Sequence, residues 1–172
     1  YIRKYNMVQE LVDGGTFLLN CSWDAEALET HLPGQVKKFI ADHNIKFYTI
    51  DGVKIGIETG MGPTRINTIL QSAFFKLANI IPEDKAIELM KAAAKATYGR
   101  MGDDIVMKNW AAIDECAKQV VEVQVPESWK DCEDEGLDIV HVTEGRKDVV
   151  DFVNNIQSKV NAQEGNSLPV SA

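Results

Sequence analysis

One stretch combines the residue types and spacing that chemistry needs: Gly60-Met61-Gly62-Pro63-Thr64-Arg65-Ile66-Asn67. Glycines precede the expected start of a helix, and an arginine falls in its expected first turn. A helix N-terminus presents unpaired N–H groups and a partial positive charge. Arginine adds a planar, permanently charged fork that matches phosphate. The first turn normally prefers acids, so an arginine there opposes the helix dipole by roughly a few tenths of a kcal/mol, a cost that hints at use. Two readings stand. One is an anion site. The other is a Gly–Pro turn with Arg65 paired to a nearby carboxylate. The spacing is not Gly-x-Gly-x-x-Gly and no clear strand precedes it, so a dinucleotide-binding turn is not indicated.

The other chemistry-bearing residues have plainer explanations. His31, His43 and His141 show no His-x-x-x-His or His-Glu-x-x-His spacing, and structural or surface roles are expected. Asp103 and Asp104 stand at a helix start, where acids complement the dipole. Cys21, Cys116 and Cys132 are odd in number and widely spaced, and without Cys-x-x-Cys they build neither a zinc ribbon nor an iron–sulfur site. Buried thiols in a reducing compartment are expected. The Leu89–Met90 stripe and Trp23, Trp110 and Trp129 read as packing residues. No catalytic residue and no metal ligand set is assigned.

Composition narrows the function classes. The chain has 172 residues with 18 Lys plus Arg against 26 Asp plus Glu, a formal net charge of -8. That balance argues against nonspecific binding of nucleic acid or anionic membranes. Hydrophobic residues make up 45%, which argues for a globular fold. No apolar run is long enough for a transmembrane helix. The first residue is Tyr1, and no signal-peptide pattern follows it, so a processed chain or an excised piece of a longer one is expected.

Periodicity supplies the elements that position these residues. Residues 3–12 predict a short helix, stopped by Asp13-Gly14-Gly15. Residues 16–20 predict a strand, and Ser22 is the expected cap of a helix with Asp24 and Glu26 in its first turn. Pro33-Gly34 breaks it, and 35–43 is a further helix. Ile45 to Ile50 is β-branched and aromatic, hence a strand. Residues 53–58 predict a short helix, 60–63 a loop. Apolar residues at 66, 69, 70, 73, 74, 77, 78 and 81 form a 3.6-residue stripe. Helices from Pro82 to Tyr98 and from Asp103 follow, the latter with Val106, Trp110, Ile113, Ala117 and Val120 on one face. Residues 121–125 alternate as a half-buried strand. The acid-rich residues 127–138 are expected to be solvated linker, residues 137–142 a short strand or extended passage, and 146–160 one amphipathic helix bearing Val149, Phe152, Val153, Ile156 and Val160. The fold class is α/β, layered and helix-rich, with a small and incomplete sheet.

Several segments together resemble a known family. Gly14-Gly15-Thr16-Phe17-Leu18-Leu19-Asn20, Ser22-Trp23 and Leu32-Pro33 resemble the thiamine-diphosphate-dependent pyruvate:ferredoxin (or flavodoxin) oxidoreductases. So do residues 45–51, Arg65-Ile66-Asn67, residues 73–79, Tyr98-Gly99 and residues 125–129. The resemblance covers nearly the whole chain. It implies the later part of the γ-type domain (domain III) over 1–126, an acidic linker over 127–143, and over 144–172 an amphipathic helix and connector toward the ferredoxin-like domain.

The resemblance implies a parent enzyme that decarboxylates pyruvate oxidatively to acetyl-CoA and CO2. That parent is implied to use thiamine diphosphate, magnesium and [4Fe–4S] clusters, to dimerise, and to pass electrons to ferredoxin or flavodoxin. None of those cofactors is expected on these residues, and the fragment alone is expected to be inactive. The partners implied are the remaining domains of the same polypeptide, in the cytoplasm or in an organelle. These residues would form scaffold and a wall beside coenzyme A, with Arg65 and Asn67, and around them Gly62 and Thr64, facing its phosphates. In the family the segment reads more nearly Gly-x-Gly-x-Arg-Ile-Asn, one residue shorter than here. From a different class, the chain is alternatively a non-catalytic acidic subunit that docks to a partner.

Overall fold

The computed structural model describes residues 1–171. Two parallel strands, β1 (Thr16–Asn20) and β2 (Lys46–Ile50), run in register from Thr16 opposite Lys46 to Asn20 opposite Ile50. Between them the chain crosses over through α1 (Ala25–His31) and α2 (Gly34–Asp42). A two-residue strand, β3 (Val121–Glu122), pairs antiparallel with β2, giving the order β1-β2-β3. The outer edge of β1 has no strand partner among the described residues. The α/β expectation of a small sheet under many helices holds.

Strand alternation sends side chains to two faces. Phe17 and Phe47 point to one, where they stack 5.7 Å apart and join Leu32, Val36 and Ile40 from the crossover. Ile50 points to the other, against α3 (Gly52–Glu58), α4 (Asn67–Ala78) and α6 (Asp103–Gln119), where Ile55, Ile69, Ala73, Ala112 and Cys116 are buried with it. Helix α5 (Glu83–Tyr98) packs outside α4 and α6. The sheet is therefore a middle layer between two helical layers.

Local chemistry explains the starts and stops. Asp24, not Ser22, caps α1: its Oδ1 accepts the Ala27 N–H at 2.8 Å, the reach of a cap onto the third residue beyond. Asp51 caps α3 in the same way through Lys54. Helix α4 stops at Ala78 because Asn79 turns left-handed, at φ 46°, so Ile81, the last residue of the predicted stripe, falls outside the helix. In α6, Val106 and Ile113 are buried as expected, but Asn109, Ala112 and Cys116 complete the buried face, and Trp110 and Ala117 are only half-buried.

Several expected elements differ. Residues 3–12 form no helix. One turn closes through Lys4 and Tyr5 onto Tyr1 and another through Leu11 onto Val8, and Ile2 and Val8 dip separately into the core. The strand at 121–125 keeps two residues, and beyond them only Val123 N–H reaches Phe47 O, at 2.8 Å. The acidic side chains of 127–138 are solvated, yet the backbone is no free linker: Glu127–Asp131 form a 3-10 turn that inserts Trp129, 2% exposed, beside Phe47. No strand forms at 137–142. The terminal helix is also interrupted. It runs as α7 (Lys147–Phe152), a π turn (Val153–Gln157) and α8 (Ser158–Asn161). The π turn presents Asn154, whose amide pairs both the N–H and the C=O of Val142 at 2.9 and 2.8 Å. Of the expected apolar face, Val149, Phe152 and Val160 stand exposed.

Candidate functional site

The loop 59–66 links α3 to α4, and its path requires glycine. Gly60 and Gly62 hold φ at +75° and +85°, a region that costs a residue with a Cβ about 1 kcal/mol or more. Gly62 N–H donates to Gly56 O at 2.9 Å, and a Cβ on Gly56 would meet the Gly62 carbonyl at 2.5 Å. The loop is thus tied closely across the end of α3, and it delivers Thr64 and Arg65 to the start of α4.

Arg65 lies two residues before α4, outside its first turn. Ile66 is the cap residue and Asn67 the first helical one, so the penalty expected for a cation within the first turn does not arise. Ile66 supplies no side-chain cap. Arg65 is exposed and forms no ion pair among the described residues, which leaves the Gly–Pro turn without the expected carboxylate partner.

Thr64, Arg65 and Asn67 border one cavity of about 330 Å3. Gly62 does not line it, and acts only on the loop's path. The other walls come from elsewhere in the chain: Tyr98 at the end of α5, Met101 in the 3-10 turn behind it, and Ile105 and Asn109 on α6. Sequence reasoning missed these four. The Gly99 and Gly102 breaks mark where the chain doubles back, but nothing in the spacing says that the bend meets the Arg65 loop. Asn109 is 1% exposed, accepting from Thr68 Oγ1 at 3.1 Å and donating to Ile105 O at 2.8 Å. The arrangement joins a free cation at a helix start to a half-apolar chamber with a buried amide in its wall. It suits a ligand carrying an anionic group beside a flat apolar one.

Other reactive groups are placed for structure. Cys116 is buried and donates to Ile69 O at 3.1 Å, and burial pushes its thiol up to about 11, away from reactive thiolate. Burial likewise raises Cys21. His31 stacks on Trp23, and His43 pairs with Asp13 at 2.6 Å while stacking on Phe39. Asp104 is held by Lys108 at 2.6 Å. Among the described residues no group of three or more His, Cys, Asp or Glu stands close enough to hold a metal ion. No helix among them is long and apolar enough to cross a membrane.

Comparison with known proteins gives the setting. The model of the family described as pyruvate ferredoxin/flavodoxin oxidoreductase matches residues 1–119, from the first turn to the end of α6. The chain belongs to this family. It is 43% identical over 171 residues to the pyruvate:ferredoxin oxidoreductase of Moorella thermoacetica, and equally to the pyruvate-flavodoxin oxidoreductase of Enterobacter agglomerans. Each match covers 99% of this chain, and the chain spans 14% of the length of these relatives. Among solved structures, the pyruvate oxidoreductase subunit PORC of Thermotoga maritima superposes with a TM-score of 0.52 at 16% identity, over 68% of this chain and 57% of that one. That likeness shows the fold alone. The similarity to the oxidoreductase relatives continues past the family match through the Trp129 segment, in keeping with its packing onto the α/β unit.

Proposed function

We propose that this chain serves a pyruvate:ferredoxin or flavodoxin oxidoreductase as the wall that receives the phosphates of coenzyme A. The parent reaction is the oxidative decarboxylation of pyruvate to acetyl-CoA and CO2, with electrons leaving to a low-potential acceptor. In this reading residues 1–126 are the later part of the γ-type domain. Residues 127–143 are its acidic strap rather than a loose linker, and 144–172 lead toward the ferredoxin-like domain. Thiamine diphosphate, magnesium and the clusters belong to other parts of the enzyme, which acts as a homodimer in the cytoplasm. The exposed apolar side chains of α7 and α8 lie where further parts of such an assembly would pack.

The observation that carries the reading is Arg65: an exposed guanidinium with no carboxylate partner among the described residues, set at a helix start and at the rim of a cavity. A phosphate there gains a charge-assisted, two-pronged hydrogen bond and the partial charge of the helix end. Thr64 and Asn67 add neutral polar groups at the same rim. This chain's part is to bind and orient. It moves no proton and supplies no nucleophile.

The test is kinetic. In the full-length oxidoreductase, Arg65→Ala should raise the KM for coenzyme A by about 10-fold or more, the worth of one hydrogen bond to a charged group, and leave the KM for pyruvate unchanged. Equal changes in both constants would remove Arg65 from the coenzyme A site.

A further inference from the structure

We propose that the stretch 139–143 receives an extended, basic segment from another domain of the same oxidoreductase, which pairs with the free backbone edge at His141. This surface is separate from the Arg65 cavity and stands or falls independently of it.

The edge follows from how the stretch is seated. Its even-numbered residues are tied to one side. Asp138 N–H donates to Arg3 O at 2.7 Å, Val140 O accepts from Ser158 Oγ at 2.8 Å, and the Asn154 amide pairs both backbone groups of Val142. Ser158 is buried and Asn154 stands in the π turn, so side chains of the terminal helix take the place of a neighbouring strand. In such a seat successive residues turn their backbone groups to opposite edges. The N–H and C=O of His141 therefore face away from the helix, and neither makes a hydrogen bond among the described residues. An edge of that kind is what an added strand pairs with.

The side chains around the edge suit a protein partner. Ile139 and Val140 are 49% and 67% exposed. Together with Tyr5, which stacks on Tyr1 at 5.9 Å, they border a cavity of about 160 Å3 beside α8. Exposed aliphatic groups next to a tyrosine and a small cavity have the composition of an interface core. Lys4 and Asp138 bring one charge of each sign to the cavity's lining, so the cavity itself selects no charge.

The flanks do select one. From Glu127 to Glu144 there are seven acids and one lysine, Lys130. Lys130 pairs with Glu127, and Arg3 with Glu135. Asp131, Glu133, Asp134, Asp138 and Glu144 have no cation partner among the described residues. An acidic flank of this kind steers and orients a basic partner. The chain spans 14% of the length of its oxidoreductase relatives, and the similarity to them runs through these residues. The remainder of such an enzyme is thus the source of the segment.

The experiment is hydrogen exchange of the full-length oxidoreductase, resolved to single amides. Val142 N–H is bonded within this chain and should exchange slowly in any case. His141 N–H should exchange about 100-fold more slowly than an unstructured amide, because a partner strand takes it. Exchange of His141 at the unstructured rate would overturn the docking. The triple variant Asp134→Asn, Asp138→Asn, Glu144→Gln changes three exposed carboxylates and keeps an acceptor at position 134 for the Gly136 N–H. In it His141 should exchange about 10-fold faster while Val142 holds its rate. An unchanged His141, or a rise that Val142 shares, would overturn selection by charge. Carbodiimide coupling, which joins a carboxylate to a lysine amine in contact with it, identifies the source. Links from Glu133, Asp138 or Glu144 should lead to a lysine in another domain of the same polypeptide. Links confined to these 172 residues, or leading to a second copy or a separate protein, would overturn the assignment.

Discussion

The two faces of the sheet are finished differently. On the α1–α2 side, eleven buried residues form one cluster, and the strap 127–143 lies over it from outside through Trp129, Glu135 and Gly136. On the α3–α4–α6 side the cluster holds six, and the space between helices opens into the Arg65 cavity and a second, apolar groove of about 310 Å3 between α4 and α5. The closed side is sealed by contacts distant in sequence. Trp129 Nε1 donates to Glu29 at 2.5 Å, Gln35 bridges the strap's backbone at Glu135 N and Gly136 O, and Lys38 reaches Lys130 O. The open side carries Thr64, Arg65 and Asn67 at the rim and buries the polar Ser72 and Asn109 between α4 and α6. A closed face holds the sheet rigid, and an open one leaves room for a ligand or a neighbouring domain.

The largest test of this contrast is Trp129→Ala. Removing a fully buried indole costs about 3–5 kcal/mol in a core that collapses only partly. Urea unfolding of the chain should show that loss. Hydrogen exchange should accelerate in α2 and β2 and stay unchanged in α5 and α6. Uniform acceleration through both faces would mean that the two sides unfold as one unit and that the strap closes nothing in particular.

Gly34→Ala is the next in size. Gly34 opens α2, and a Cβ there would run into the carbonyl oxygen of Glu133, a backbone atom that cannot rotate aside. Overpacking of this kind costs about 1–3 kcal/mol. In a free helix the same change would stabilise, by about 1 kcal/mol. The sign of the measured change therefore decides whether the strap lies on α2 in solution. A more stable Gly34→Ala variant would lift the strap off.

These contacts mark the limit of what the sequence reveals. The βαβ unit, the α4 stripe and the glycine stops are local patterns, and Phe17, Phe47, Ile69 and Ile113 occupy the faces that periodicity assigns them. The Trp129 strap is not local. Its acids satisfy every compositional sign of a solvated linker, and a single tryptophan reverses the outcome because its burial outweighs the freedom the backbone loses. Residues 3–12 fail as a helix for the same reason: Ile2 and Val8 find more burial in an irregular path, and Arg3 O takes the N–H of Asp138 from the strap's far end. At the candidate site, Thr64, Arg65 and Asn67 were legible as one segment with a helix start behind them. Tyr98, Met101 and Asn109 were not, because only the packing of α5 and α6 against α4 brings them there.

The smallest effect concerns pH, and it isolates one hydrogen bond of the closed side. The Glu29 carboxylate is held below its ordinary value of 4.5, first by the Trp129 indole N–H and then by Lys37. A carboxyl depressed in the folded state contributes stability that is fully present above its unfolded value and is lost as pH falls through the lower folded one. Acidification below about pH 4.5 should thus loosen the strap before the sheet, seen as a red shift of the Trp129 component of the emission. Because Glu29 is half-exposed, solvent screening keeps the contribution under about 1 kcal/mol. The strap itself carries the carboxylates Glu127, Asp131 and Glu135, so the comparison that decides is Glu29→Gln. Gln accepts the indole N–H without a charge, and in that variant the acid-induced shift should shrink while the neutral-pH spectrum stays near that of the parent. An undiminished shift in Glu29→Gln would assign the acid response to the strap's own carboxylates, and the indole–carboxylate bond would then contribute only geometry to the closure.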